Sequence, residues 1–219
     1  MQNDMSFSFG GVMSSRPSRE ERAELKRERI LEEALTVFSE KGYHGANIAD
    51  IARRLEMGHG TFYRYFENKH DIFIELINRV LQRLAVVMTE QNPHEANSRE
   101  DYRCQLEGIG ETFMRLYWED PRIGRLVFYE AMGAGAEVRQ TLERMNDLSV
   151  LATQEYLRNG MAKGYMRADL DVPVTARALM AMVFEGCRQV MREPDQNPEQ
   201  ASRRWIAAVM AIILDGITL

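Results

Sequence analysis

An all-helical fold is predicted by three features of this 219-residue chain. Apolar residues recur at three- and four-residue spacing through almost every segment. Helix-start signatures stand just before those segments, and glycine or proline closes many of them. No run suggests a β-sheet, and no internal repeat is evident. Hydrophobic residues make up 45% and charged residues 28%, the balance of an ordinary globular protein. No apolar run reaches the roughly 18 residues of a membrane span. The opening MQNDMSFSFGGVMSS lacks the apolar core of a secretory signal. Cys104 and Cys187 are far apart and read as buried free thiols of a reducing compartment, so a cytoplasmic location and no membrane partner are expected.

About nine helices are expected, after a disordered tail at residues 1–17. The first covers 18–41: Ser18 and Glu21 form a capping box, Ile30, Leu31, Ala34, Leu35 and Phe38 share a face, and Gly42 ends it. The second covers about 47–55, with Ile48, Ile51, Ala52 and Leu55 on one face and Asn47 and Asp50 at its start. Glu56-Met57-Gly58 is a tight turn whose glycine, Gly58, is the residue able to take a positive φ. A compact helix at about 59–65 follows. Asn68 and Asp71 open a long helix whose stripe is Phe73, Leu76, Ile77, Val80, Leu81 and Leu84.

After the loop NPHEANS at 92–98, helices are expected at about 99–118 and 122–132. Gly133-Ala134-Gly135 interrupts the pattern, and a longer helix runs to about Asn159. Asp171 and Pro173 open a helix reaching Arg192, and Asn197-Pro198-Glu199-Gln200 opens the last one.

Two short helices joined by a three- or four-residue turn, the second of them polar, form the helix-turn-helix of DNA-binding proteins. The net charge of −5 does not exclude nucleic acid, because residues 16–70 carry 11 Lys/Arg and 10 Asp/Glu, while the acidity lies mainly in the rest. Residues 25–73 resemble the TetR family of bacterial transcriptional repressors. The matching residues are Ile30-Leu31, Ala34, Phe38, Gly42-Tyr43, Ile48-Ala49-Asp50-Ile51-Ala52, Met57, Gly60-Thr61-Phe62-Tyr63-Arg64-Tyr65-Phe66 and Lys69. Asn47 stands where the family has threonine, and Gly58 where it has serine.

The resemblance implies a helix-turn-helix domain at 18–67 and a helical effector-binding and dimerisation domain at 68–219. It implies a homodimer on a palindromic double-stranded operator, with Thr61 and Tyr63 on phosphate or thymine methyl and Tyr65 and Lys69 on the backbone. Gly60 lets the second helix approach the groove, and free N–H groups at that helix start suit a phosphate. His59 and Arg64 are the candidates for base edges, since arginine pairs bidentately with guanine. With Asn47 as cap, these residues make up the expected DNA face.

Met and aromatic side chains at 99–159 suit an adaptable apolar pocket for a small lipophilic effector. Its candidates are Tyr102, Phe113, Tyr117, Arg125, Phe128, Tyr129, Met132, Met145 and Phe184. The pairing face is expected to use Met180, Val183, Cys187, Trp205, Val209, Ile212 and Ile213. An all-helical enzyme or a protein-binding scaffold is the alternative. HExxH, GxSxG and P-loop patterns are missing, and the four histidines lack i,i+4 pairing, so neither a catalytic centre, a metal nor a cofactor is expected. EGIGETF at 107–113 reads as small-residue packing between helices.

Overall fold

The computed structural model describes residues 18–89, 91–192 and 197–216, with the backbone alone at 59, 88 and 89. The expected tail at 1–17 lies outside the described residues. Helices α1 (Arg19–Gly45), α2 (Ile48–Arg54), α3 (His59–Phe62) and α4 (Lys69–Thr89) form the N-terminal part. Helices α5 (Arg99–Trp118), α6 (Pro121–Arg125), α7 (Ala136–Ala162), α8 (Val172–Arg192) and α9 (Pro198–Met210) form the rest. No strand occurs among the described residues.

The capping residues act as the sequence predicts. Ser18 and Glu21 exchange hydrogen bonds at the start of α1, and Asn47 and Asp50 do so at the start of α2. Asn197 accepts from the amides of Glu199 and Gln200, with Pro198 in the first turn of α9. Gly42, at φ +73°, ends the regular part of α1. The expected stripe of α4 is buried apart from Leu81, which is half-buried, and Ile72 joins it, so the helix serves both the N-terminal module and the bundle behind it.

Three local expectations are corrected. Gly58 does not supply the positive φ of the turn; Glu56 does, at φ +50°. The Met57 amide reaches the Ala52 carbonyl (2.9 Å) and the Glu56 amide the Arg53 carbonyl (3.2 Å), a Schellman closure that places Glu56 in the left-handed position. The helix expected at 59–65 is regular only to Phe62, because the next turn tightens to Tyr65 N–H donating to Phe62 O at 2.9 Å while Phe66 is drawn into the core. The helix expected at 122–132 is three pieces: α6, a π-turn at Leu126–Glu130, and a 3-10 turn at Ala131–Gly133.

Helices α5 and α8 run parallel and α9 antiparallel to both. Phe113 of α5 meets Phe184 of α8 edge-on at 5.5 Å. Gly110 of α5 faces Ile206 of α9, while Arg103 near the start of α5 reaches Asp215 after the end of α9. A Cβ on Gly110 would sit 3.4 Å from Ile206, which is the small-residue packing expected at 107–113. Closer still, a Cβ on Gly186 would lie 2.4 Å from the Trp205 ring, whose N–H donates to the Met182 carbonyl at 3.0 Å. Glycine at 186 therefore sets how near α8 and α9 approach. One apolar core runs unbroken from Ile30 in α1 to Met210 in α9.

Candidate DNA-reading face and ligand cavity

The N-terminal module turns its aromatic residues two ways. Phe62 and Phe66 are buried, and the Arg27 guanidinium lies 4.5 Å from the Phe66 ring centre while pairing with Glu75. Tyr63 is 53% exposed, and Gly60 and Arg64 are exposed beside it. Thr61 is half-buried. Tyr65 is also half-buried and rests on the core, so only part of it faces outward. Asn47 is exposed at its cap. The His59 side chain lies outside the described residues.

Charge separates the basic groups of this module. Arg54 pairs with Glu33 and Glu40, and Arg53 and Lys41 pair with Asp50. The hydrogen bond from Lys41 holds the Asp50 carboxyl below its ordinary value, against the opposing effect of burial. Arg64 makes no ion pair among the described residues, which leaves its planar donors available.

Two expectations about this face change. Lys69 does not point to a DNA backbone. Its ammonium donates to the carbonyls of Tyr43 (2.8 Å), His44 (3.4 Å) and Ala46 (3.0 Å), and sits 4.7 Å from the Tyr43 ring centre. Three acceptors at the end of α1 match its three donors, so it closes that helix end. The amides of Thr61 and Phe62 both donate to Gly58 O, which narrows the N–H groups expected to meet a phosphate at this helix start to the residues before Thr61.

A cavity of about 110 Å³ lies between α5, α7, α8 and α9. Its walls are almost wholly apolar: Leu106, Ile109 and Met114 from α5, Leu157 from α7, Leu179 from α8, and Ile206 from α9 are among them. The polar atoms at its edge are already hydrogen-bonded. Tyr102 donates to the Tyr156 carbonyl, Tyr156 to the Gln91 carbonyl at 2.9 Å, and Thr153 to the Ser149 carbonyl at 2.9 Å. Burial pushes the Tyr156 hydroxyl up to about 12.

Of the expected pocket residues, Tyr102 and Phe113 line this cavity. Tyr102 is no free orienting group, since its hydroxyl is committed to Tyr156. Tyr117, Phe128 and Phe184 form an aromatic cluster with Phe113 just past the cavity. Met145 is core. Arg125 is exposed, 3.9 Å from Glu130; Tyr129 is exposed, and Met132 is 63% exposed beside a shallow surface groove. The π-turn accounts for Tyr129 and Met132: its wider turn shifts the helical phase between Leu126 and Glu130, so these side chains leave the face that a regular helix would assign them.

The expected pairing residues are corrected more sharply. Met180, Val183, Trp205, Val209 and Ile213 line the cavity within one chain. Cys187 is buried, and its thiol is pushed up to about 12 by burial, whereas Cys104 is exposed rather than buried. Ile212 alone of the seven is exposed, at 45%. The outward side of these helices instead carries Ala178 and Ala181 of α8 and Arg204, Ala207, Ala208 and Ala211 along α9 and the turn after it.

The cavity is tied to the N-terminal module through the π-turn. Glu130 at its end accepts from the Tyr43 amide at 2.8 Å, directly after Gly42. A Cβ on Gly42 would stand 2.9 Å from that carboxylate, so glycine both adopts the positive φ and leaves Glu130 room. Arg122 of α6 reaches Thr36 (2.7 Å) and Glu32 (2.7 Å) of α1. The Tyr43 hydroxyl is 3.3 Å from His70, whose other ring nitrogen is 3.1 Å from Glu137 of α7.

Comparisons agree with this layout. Residues 30–76 match the family described as bacterial regulatory proteins, tetR family. The fatty acid metabolism regulator protein of Bacillus subtilis is 24% identical over 156 residues, 71% of this chain and 78% of its own length. The HTH-type transcriptional repressor KstR2 of Mycobacterium tuberculosis is 25% identical over 197 residues, 88% of this chain and 93% of its own. The transcriptional regulator FadR from Bacillus subtilis, solved in complex with stearoyl-CoA, shares the fold with a TM-score of 0.71 and 20% identity, over 87% of this chain and 99% of that one. Helix-turn-helix, helical bundle and sequence match agree: residues 30–76 carry the tetR-family domain, and over most of its length the chain is similar to transcriptional regulators of that family.

Proposed function

We propose that two copies of this chain form a repressor that holds a palindromic operator and lets it go when a small lipophilic effector enters the α5–α9 cavity. Residues 18–67 act as the reader and 68–219 as the effector and pairing domain. Asn47, His59, Gly60, Thr61, Tyr63, Arg64 and Tyr65 form the DNA face, with Tyr63 and Thr61 positioning on the backbone and Arg64 choosing among base edges. The outward alanine-lined faces of α8 and α9 pair the copies.

The observation that carries this reading is the apolar cavity itself, whose Phe113 wall contacts Phe184 and through it Phe128 of the π-turn, the turn whose Glu130 holds the end of α1. The stearoyl-CoA held by FadR of Bacillus subtilis, and the match to a fatty acid metabolism regulator protein of the same organism, support an acyl-type effector. At about 110 Å³ the cavity is no larger than the roughly 150 Å³ that holds one benzene. A longer effector must therefore part its walls, and the differential affinity for the parted state is what can shift the equilibrium. The test is anisotropy of a selected palindromic fragment titrated with stearoyl-CoA and with lauroyl-CoA. Release of the fragment with a raised melting temperature is expected. A series of lipophilic acyl compounds that changes neither melting nor DNA binding would sink the effector reading, and equal affinity for random and selected DNA would sink the operator reading.

A further inference from the structure

Three of the four helices that wall the cavity, α5, α8 and α9, continue one turn past its Phe113 end. Four residues after Phe113 on α5 comes Tyr117; four after Val183 on α8 comes Cys187; four before Ile206 on the antiparallel α9 comes Ser202. This spacing keeps each on the same face of its helix as the cavity residue it follows or precedes. Each wall thus changes from apolar to polar at the same level. The three are 1%, 1% and 3% exposed. The Tyr117 and Ser202 hydroxyl oxygens are buried without a hydrogen-bond partner among the described residues.

The polar groups that line the cavity are satisfied, and the buried Gln105 and Asn159 carbonyl oxygens without a partner are acceptors only, so among the described residues the unpaired buried hydroxyls are those of Tyr117 and Ser202. Burial pushes the Tyr117 hydroxyl and the Cys187 thiol up, so both stay protonated and neutral. A neutral, dry end with hydroxyl donors does not suit a carboxylate or phosphate. It suits a neutral oxygen, which recovers what the unpaired hydroxyls forfeit. Phe113 lines the cavity, packs on the Tyr117 ring at 5.7 Å and meets Phe184 edge-on, so it must turn aside to admit a chain to Tyr117.

We propose that the effector carries a hydroxyl or carbonyl oxygen at the buried end of an otherwise apolar chain, and that Tyr117 and Ser202 hold it. This rests on the cavity being the effector site. The test is calorimetric titration of the full chain with dodecanoate and with ω-hydroxydodecanoate, in the wild type, Tyr117→Phe and Ser202→Ala. The preference for the hydroxylated acid should fall about tenfold in each variant, the worth of one good hydrogen bond, while affinity for dodecanoate stays unchanged. Tyr117→Phe should melt at or above the wild type, since it loses only an unpaired hydroxyl; should it not fold, Ser202→Ala carries the comparison. An unchanged preference overturns the proposal and assigns the hydroxyls to water or to unpaired packing. Equal weakening of both acids also overturns it, as a packing effect. Binding of neither acid removes the cavity reading itself, and the proposal with it.

Discussion

Glu56 occupies a backbone position that costs an L-residue about 1 kcal/mol relative to glycine. Glu56→Gly should therefore raise stability by roughly 0.5–1 kcal/mol, seen as a higher thermal midpoint. The sequence points to Gly58 instead, because a glycine in a turn is the ordinary signal; only the Schellman hydrogen bonds place the left-handed residue two positions earlier. Among the residues proposed to face DNA, the exposure of Gly60, Tyr63 and Arg64 is legible because it follows from local helix phase. Tyr63→Ala should weaken binding to every sequence, whereas Arg64→Ala should mainly relax sequence choice. A gel-shift series in which Arg64→Ala loses operator and random DNA equally would contradict that division. Asp50 yields a prediction in acid. Its folded value lies below the ordinary 3.8, so its contribution is complete above that value and is lost as pH falls through the lowered one. Denaturation series should show the wild type losing more stability than Asp50→Asn as pH drops below about 4.

At the scale of elements, two lysines perform the same task. Lys69 gathers three carbonyls at the end of α1, and Lys163 gathers those of Pro93, His94 and Ala96 (3.3, 2.9 and 2.6 Å). Lysine in a DNA-binding motif reads naturally as a phosphate contact; that its donors turn inward depends on where another helix ends, which no local pattern reveals. The π-turn between α6 and α7 is invisible for a similar reason, as its wider hydrogen bonding leaves no composition signature. Its function is testable through Glu130. Glu130→Ala should leave operator affinity and effector affinity, each measured alone, close to wild type. The factor by which saturating effector weakens operator binding should shrink about fivefold, a coupling loss of about 1 kcal/mol. An unchanged factor would show that the signal travels by another contact, such as His70–Glu137.

For the whole molecule, the helix count, the order of elements and the N-terminal module are readable because each depends on short-range periodicity and caps. The cavity is not. An apolar helix face shows the same spacing whether it meets a neighbouring helix, a void or a second chain, so Met180, Val183, Trp205 and Val209 read as a pairing face while the folded chain turns them to its own interior. That placement makes α8 and α9 a common partition, with a cavity on one side and the proposed partner on the other. Two such partitions set back to back would let each occupied chain alter the other's readiness to bind. Effector titration of the dimer should give a Hill coefficient different from unity, and a non-pairing variant should return it to one. Alanines outside and bulky side chains inside would then make one thin wall the means by which two copies of the protein count their ligands together.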